Sequence, residues 1–187
     1  MTEVEEIPII ARTMAEASLP KRLDAQKMID NEQVLTGSVE SSGFERLADA
    51  VESVIKPIEY RFAFNRDIEG TRVIDGTCAT QVSMVCQRCL KPVELDILGE
   101  FQLGLAFSDD EAKHLPKRYE PALMDENGNI DPWELLEDEL LLALPMFANH
   151  ADGECAFKQP EAEVEQIDEA ASKKDNPFDV LKQLKSK

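Results

Sequence analysis

The chain has 187 residues and a mass of 21.0 kDa, long enough for one domain with a real core plus tails. Its 38 acidic against 20 basic residues leave a net charge of −18. That argues against a domain gripping nucleic acid through its phosphates, and it suits either basic protein partners or plain solubility. No apolar run approaches the roughly 18 residues of a transmembrane helix, so no membrane association is expected. The acidic start Met1-Thr2-Glu3-Val4-Glu5-Glu6 lacks the apolar stretch of a secretory signal. The expected compartment is the cytoplasm, where the four cysteines stay reduced.

Residues 1–56 form an N-terminal segment expected to pack on the core. Ile7-Pro8-Ile9-Ile10 suits an edge strand, where Pro is tolerated. Arg12, Lys21, Arg22 and Lys27 form a mixed-charge face. Val34–Val39, around Gly37, reads as a short strand or turn. Ser42-Gly43-Phe44-Glu45 has the form of a capping box, and Leu47, Ala50, Val51 and Val54 follow at helical spacing. This predicts a helix over about 43–54, closed by Pro57.

Residues 57–157 carry the predicted core. Ile58, Tyr60, Phe62 and Phe64 alternate with polar or small positions, as in a half-buried strand. The turn ends at Gly70. Val73 to Cys86 is a second strand, with a bulge expected at Gly76, and Val93 to Phe107 is a third, bent at Gly99. The three form an antiparallel meander. Tyr119–Leu123 reads as an edge strand. Asp131-Pro132-Trp133-Glu134 then starts a helix: Asp caps, Pro suits the first helical position, and Glu lies three residues after the cap. Trp133, Leu136, Leu140 and Ala143 lie on one face, with Glu134, Glu137, Asp138 and Glu139 mainly on the rest. The expected class is α+β: an antiparallel β-sheet, or a partly open barrel, covered by one or two helices.

Residues 158–187 change character. Glu161, Glu163, Glu165, Asp168 and Glu169 mark 158–174 as a flexible acidic linker. Phe178, Leu181 and Leu184 then recur at i, i+3, i+6, with lysines following, as in a short amphipathic docking segment. A frayed terminus is the alternative.

Cys86-Gln87-Arg88-Cys89 falls at the tip of the hairpin between the second and third strands. Two thiolates on one tight turn offer half of a tetrahedral site. His150 and Cys155 follow the predicted helix and complete a Cys3His set, for which zinc is the expected ion. Unpaired thiols and a surface histidine are the alternative. Cys78 points with Thr80 and Val82 and reads as a core thiol, and His114 as a surface residue. A redox role for C-x-x-C calls for a helix N-terminus, whereas this pair lies between strands. No nucleophile triad or Gly-rich phosphate loop is present, so no enzyme is expected.

Cys86-Gln87-Arg88-Cys89 with Lys91-Pro92, then Tyr119-Glu120-Pro121, Gly128-Asn129-Ile130-Asp131, Glu137-Asp138-Glu139, Leu141-Leu142-Ala143-Leu144-Pro145, His150, Cys155 and Asn176-Pro177-Phe178 together resemble the bacterial YceD family. The order holds over about 57–187. Many family members carry further cysteines after the Leu-Pro segment, where this chain has His150 and Cys155. The resemblance implies a cytoplasmic factor in large-subunit ribosome biogenesis, supporting 23S rRNA accumulation. Its partners would be a pre-large-subunit particle, 23S rRNA or a basic ribosomal protein. The charge favours a protein contact, with Arg88 and Lys91 as a locally basic tip and Phe178, Leu181 and Leu184 as apolar contacts. The alternatives are a zinc-knuckle adaptor outside ribosome assembly and a thiol-redox protein.

Overall fold

The computed structural model describes residues 19–151, 153–155 and 157. The expected strand at Ile7–Ile10, the acidic segment 158–174 and Phe178, Leu181 and Leu184 lie outside the described residues. The elements in chain order are β1 (Leu23–Asp24), α1 (Ala25–Asp30), β2 (Val34–Val39), α2 (Glu45–Ala50), β3 (Ser53–Val54), β4 (Ile58–Arg66), β5 (Arg72–Val85), β6 (Pro92–Ala106), α3 (Asp109–Ala112), β7 (Glu120–Leu123), β8 (Asn129–Ile130) and α4 (Pro132–Ala143). The fold is α+β.

The main sheet runs in the order β2-β4-β5-β6-β7, with β3 added to the end of β5. It is open. The predicted meander is its centre: β4, β5 and β6 pair antiparallel in continuous register, Phe62 opposite Gly76 and Gly76 opposite Phe101. Alternation puts Ile58, Tyr60, Phe62 and Phe64 of β4 inside, all buried. The same face receives Ile74, Cys78 and Val82 of β5 and Ile97, Phe101 and Leu103 of β6. The predicted edge strand is β7, but it pairs parallel with β6, Leu103 opposite Glu120. The sheet is therefore mixed. The chain between β6 and β7 holds α3, capped by Ser108, and this connection lets β7 return in the same direction. A separate two-stranded ribbon joins β1 to β8.

Helix α4 covers the sheet, starting as its sequence predicts. The Asp131 carboxylate accepts the N–H groups of Trp133 and Glu134, and Pro132 occupies the first turn. Leu136 and Leu140 are fully buried, each contributing about 2 kcal/mol through burial. The helix can approach closely because Gly99 has no side chain. A Cβ there would lie 2.7 Å from Cys78 Sγ and 3.4 Å from Ala143 Cβ.

Three local expectations are corrected. Gly76 makes no bulge: the register passes straight through it, and a Cβ there would lie 2.0 Å from Phe101 Cε2, so the glycine makes room for that ring. The helix predicted over 43–54 is shorter, because Ser53 and Val54 pair with β5 instead. Its start has no side-chain cap from Phe44. The Glu137 carboxylate, from α4, accepts the Leu47 N–H at 3.1 Å and the Arg46 Nε–H at 2.9 Å. A buried acidic group on a neighbouring helix thus does the work expected of Ser42.

Among the described residues, no helix is long and apolar enough to cross a membrane.

Candidate metal centre

Strand β5 ends at Val85 and β6 begins opposite it at Pro92, so the hairpin tip spans residues 86–91. The tip is closed by two backbone bonds. Cys86 N–H donates to the Lys91 carbonyl and Leu90 N–H to the Cys86 carbonyl, each at 2.9 Å. Closing so tight a loop requires one residue in the left-handed region, and Leu90 takes it with φ +58. The turn thereby aims both thiols of Cys86 and Cys89 toward one point.

The segment after α4 comes back to that point. Leu144 ends the helix in extended conformation, before Pro145. Ala148 is buried against Cys86 and Val93, and its carbonyl accepts Gln87 N–H at 2.9 Å. The Arg88 guanidinium donates to the His150 carbonyl. Gly153, at φ +91, turns the chain so that Cys155 follows His150 into the same place.

The four side chains named from the sequence converge. The ligating atoms of Cys86, Cys89, His150 and Cys155 all lie within 4.8 Å of one another. Cys86 Sγ is 4.0 Å from Cys155 Sγ, and Cys89 Sγ is 3.4 Å from His150 Nδ1. A tetrahedral zinc with ordinary bond lengths sets its ligands about 3.5–3.8 Å apart. A disulfide would need sulfurs about 2 Å apart, and all four cysteines are free. The imidazole is oriented for ligation. His150 Nε2 lies 3.0 Å from the Pro92 carbonyl, which accepts its proton and leaves the Nδ1 lone pair toward the sulfurs. Burial works against ionising Cys86, but the backbone N–H groups of Cys89, His150 and Arg88 point at the sulfur and bring its pKa down to about 5. A soft, anionic, nearly closed donor set of this kind fits a structural zinc ion.

The remaining candidates fall elsewhere. Cys78 is buried under Gly99 and burial raises its pKa to about 11. His114 is exposed, its Nδ1 2.6 Å from the Asp110 carbonyl. Lys91 is exposed at the tip. The Pro92 and Ala148 carbonyls, which hold the site together, carry no side-chain signal that a sequence could have shown. The C-x-x-C lies on a β-turn, away from any helix start.

The family model described as large ribosomal RNA subunit accumulation protein YceD matches residues 74–185. A Haemophilus influenzae (strain Rd) protein named large ribosomal RNA subunit accumulation protein YceD is 33% identical over 174 residues, covering 93% of this chain and 100% of that protein. This chain belongs to the YceD family. No solved structure matches it. The span matched to the YceD model contains the entire Cys3His cluster, from Cys86 to Cys155, along with β7 and α4.

Proposed function

We propose that this chain is a non-catalytic, cytoplasmic factor supporting accumulation of the large ribosomal RNA, and that it works by contacting protein on a precursor particle. Membership of the YceD family carries this reading. The net charge of −18 supports a basic ribosomal protein, rather than bare RNA, as the direct contact. In this reading Cys86, Cys89, His150 and Cys155 hold one structural zinc. The ion would fasten the segment after α4 to the hairpin tip and so fix the surface carrying Arg88 and Lys91. Arg88 also donates to the His150 carbonyl, so Lys91 is the cleaner probe of the tip's charge. The acidic segment 158–174 and Phe178, Leu181 and Leu184 are proposed to engage the same basic partner.

Elemental analysis of untagged protein, with thiol counting, tests the metal. About one zinc per chain, lost in Cys86→Ser/Cys89→Ser, is the expected result. Four free thiols and no metal would reject the site. Cosedimentation with large-subunit precursors tests the partner. Wild type should cosediment, Lys91→Glu should weaken the association, and deletion of 158–187 should weaken it independently. Absence of wild-type cosedimentation would favour a zinc-knuckle adaptor acting outside ribosome assembly, a reading to which the Cys3His cluster alone would still apply.

A further inference from the structure

A second surface, away from the cysteine cluster, carries its own chemistry. Between α4 and the edge strand β7 runs an open cleft of about 530 Å³, floored by Leu103. A second hollow of about 400 Å³ continues it along β6, sharing Glu120, Glu139 and Leu142. Leu142 is 71% exposed, and Leu98 and Leu123 are exposed along the same margin. The walls are acidic, with Glu120, Glu134, Asp138 and Glu139.

Glu139 is the unusual member. It is only 9% exposed, yet among the described residues no hydrogen-bond donor or cation meets its carboxylate. Asp138 is held by Arg46 at 2.5 Å. Arg118, the cation lining the second hollow, is committed to Asp67 at 2.6 Å. Glu139 instead faces Glu120 and Asp138, and burial together with these like charges raises its pKa to about 7. A carboxylate on a residue only one-tenth exposed, set beside like charges with no partner among the described residues, costs folding free energy. A cation brought from outside would relieve both the burial and the repulsion.

We infer that the α4–β7 cleft binds a basic segment of a protein partner, with one arginine or lysine side chain seated between Glu139 and Glu120 and flanking apolar residues against Leu98, Leu123 and Leu142. RNA is excluded as occupant by the acidic walls. An arginine fits best, since its planar fork can meet two carboxylates at once. The inference shares its basic protein partner with the proposed function and assigns it a different site, one that needs no metal.

The test uses the full chain and a fluorescein-labelled peptide of alternating leucine and arginine, read by anisotropy. Glu120→Gln/Glu139→Gln should weaken binding about tenfold, the scale of a lost close charge pair. Glu52→Gln/Glu94→Gln removes the same charge from exposed positions outside the cleft and should change binding less than twofold. Leu142→Gln, at an exposed position that leaves the core intact, should also weaken it severalfold. Equal losses in the two double variants would reduce the effect to general charge attraction and overturn the inference. So would unchanged binding in Glu120→Gln/Glu139→Gln. The assay contains no ribosomal component, so its failure leaves the ribosomal reading standing, and failed cosedimentation leaves the cleft standing.

Discussion

Two carboxylates, Asp125 and Glu139, show how one functional group reports opposite local physics. Asp125 accepts the backbone and side-chain N–H groups of Asn129, with further help from Arg22 and Asn127, and its pKa falls to about 2. The stabilisation this gives is present above the unfolded value near 3.8 and is lost as pH falls toward 2. Glu139 behaves the other way. Its folded pKa, near 7, lies above the unfolded value of 4.5, so the folded state holds the extra proton between those values. Stability contributed by this site therefore falls as pH rises from 4.5 through 7. Urea unfolding at pH 5 and pH 8 should show Glu139→Gln gaining stability relative to wild type at the higher pH, while Asp125→Asn loses it at both. Leu90 is a further local test. It is 76% exposed and takes φ +58, so its side chain packs little and its backbone is strained. Leu90→Gly should relieve about 1 kcal/mol of that strain while leaving metal content unchanged, measured by thermal unfolding and elemental analysis.

At the scale of elements, close packing between strands and helix rests on two missing side chains. Gly76 accepts the Phe101 ring and Gly99 accepts Cys78 and α4. Gly76→Ala should destabilise the protein by about 2–3 kcal/mol through overpacking. Phe101→Leu alone should cost about 1–2 kcal/mol for the smaller side chain. The double variant should cost less than the two summed, because the smaller side chain vacates the space the new methyl needs. A simple sum in a denaturant double-mutant cycle would show that the glycine is required for another reason. The same element scale explains Glu137. Its position among charged neighbours on α4 resembles any solvated helix face, and only the approach of α2 turns it into a buried cap for Leu47.

At the scale of the whole molecule, the buried apolar groups among the described residues form two clusters. The large one joins β4, β5 and β6 to α4, and the small one holds Cys86, Val93 and Ala148 with Cys89 and Cys155 at its margin. If a metal ties the small cluster together, its removal should open that part first. Hydrogen exchange after chelation should rise across 86–91 and 148–155 while the centres of β4, β5 and β6 stay protected. Global loss of protection would show instead that the tip supports the whole sheet.

Much of this was legible in the residues. Period-2 alternation located β4, β5 and β6, because only a half-buried strand needs apolar groups at every second position. Asp131, Pro132 and Glu134 located the start of α4, because a helix start always leaves donors to be met locally. Donor chemistry brought Cys86 and Cys89 together with His150 and Cys155 as one candidate set, and the fold places their ligating atoms within reach of one ion. Long-range contacts settled the rest. The direction of β7 depends on the path of its connection, Gly76 is explained by a ring from the next strand, and Glu139 reads as a surface residue until β7 lies beside it. A sequence records what each residue offers. Tertiary packing alone decides which of those offers is met and which, as at Glu139 among the described residues, is left without a partner.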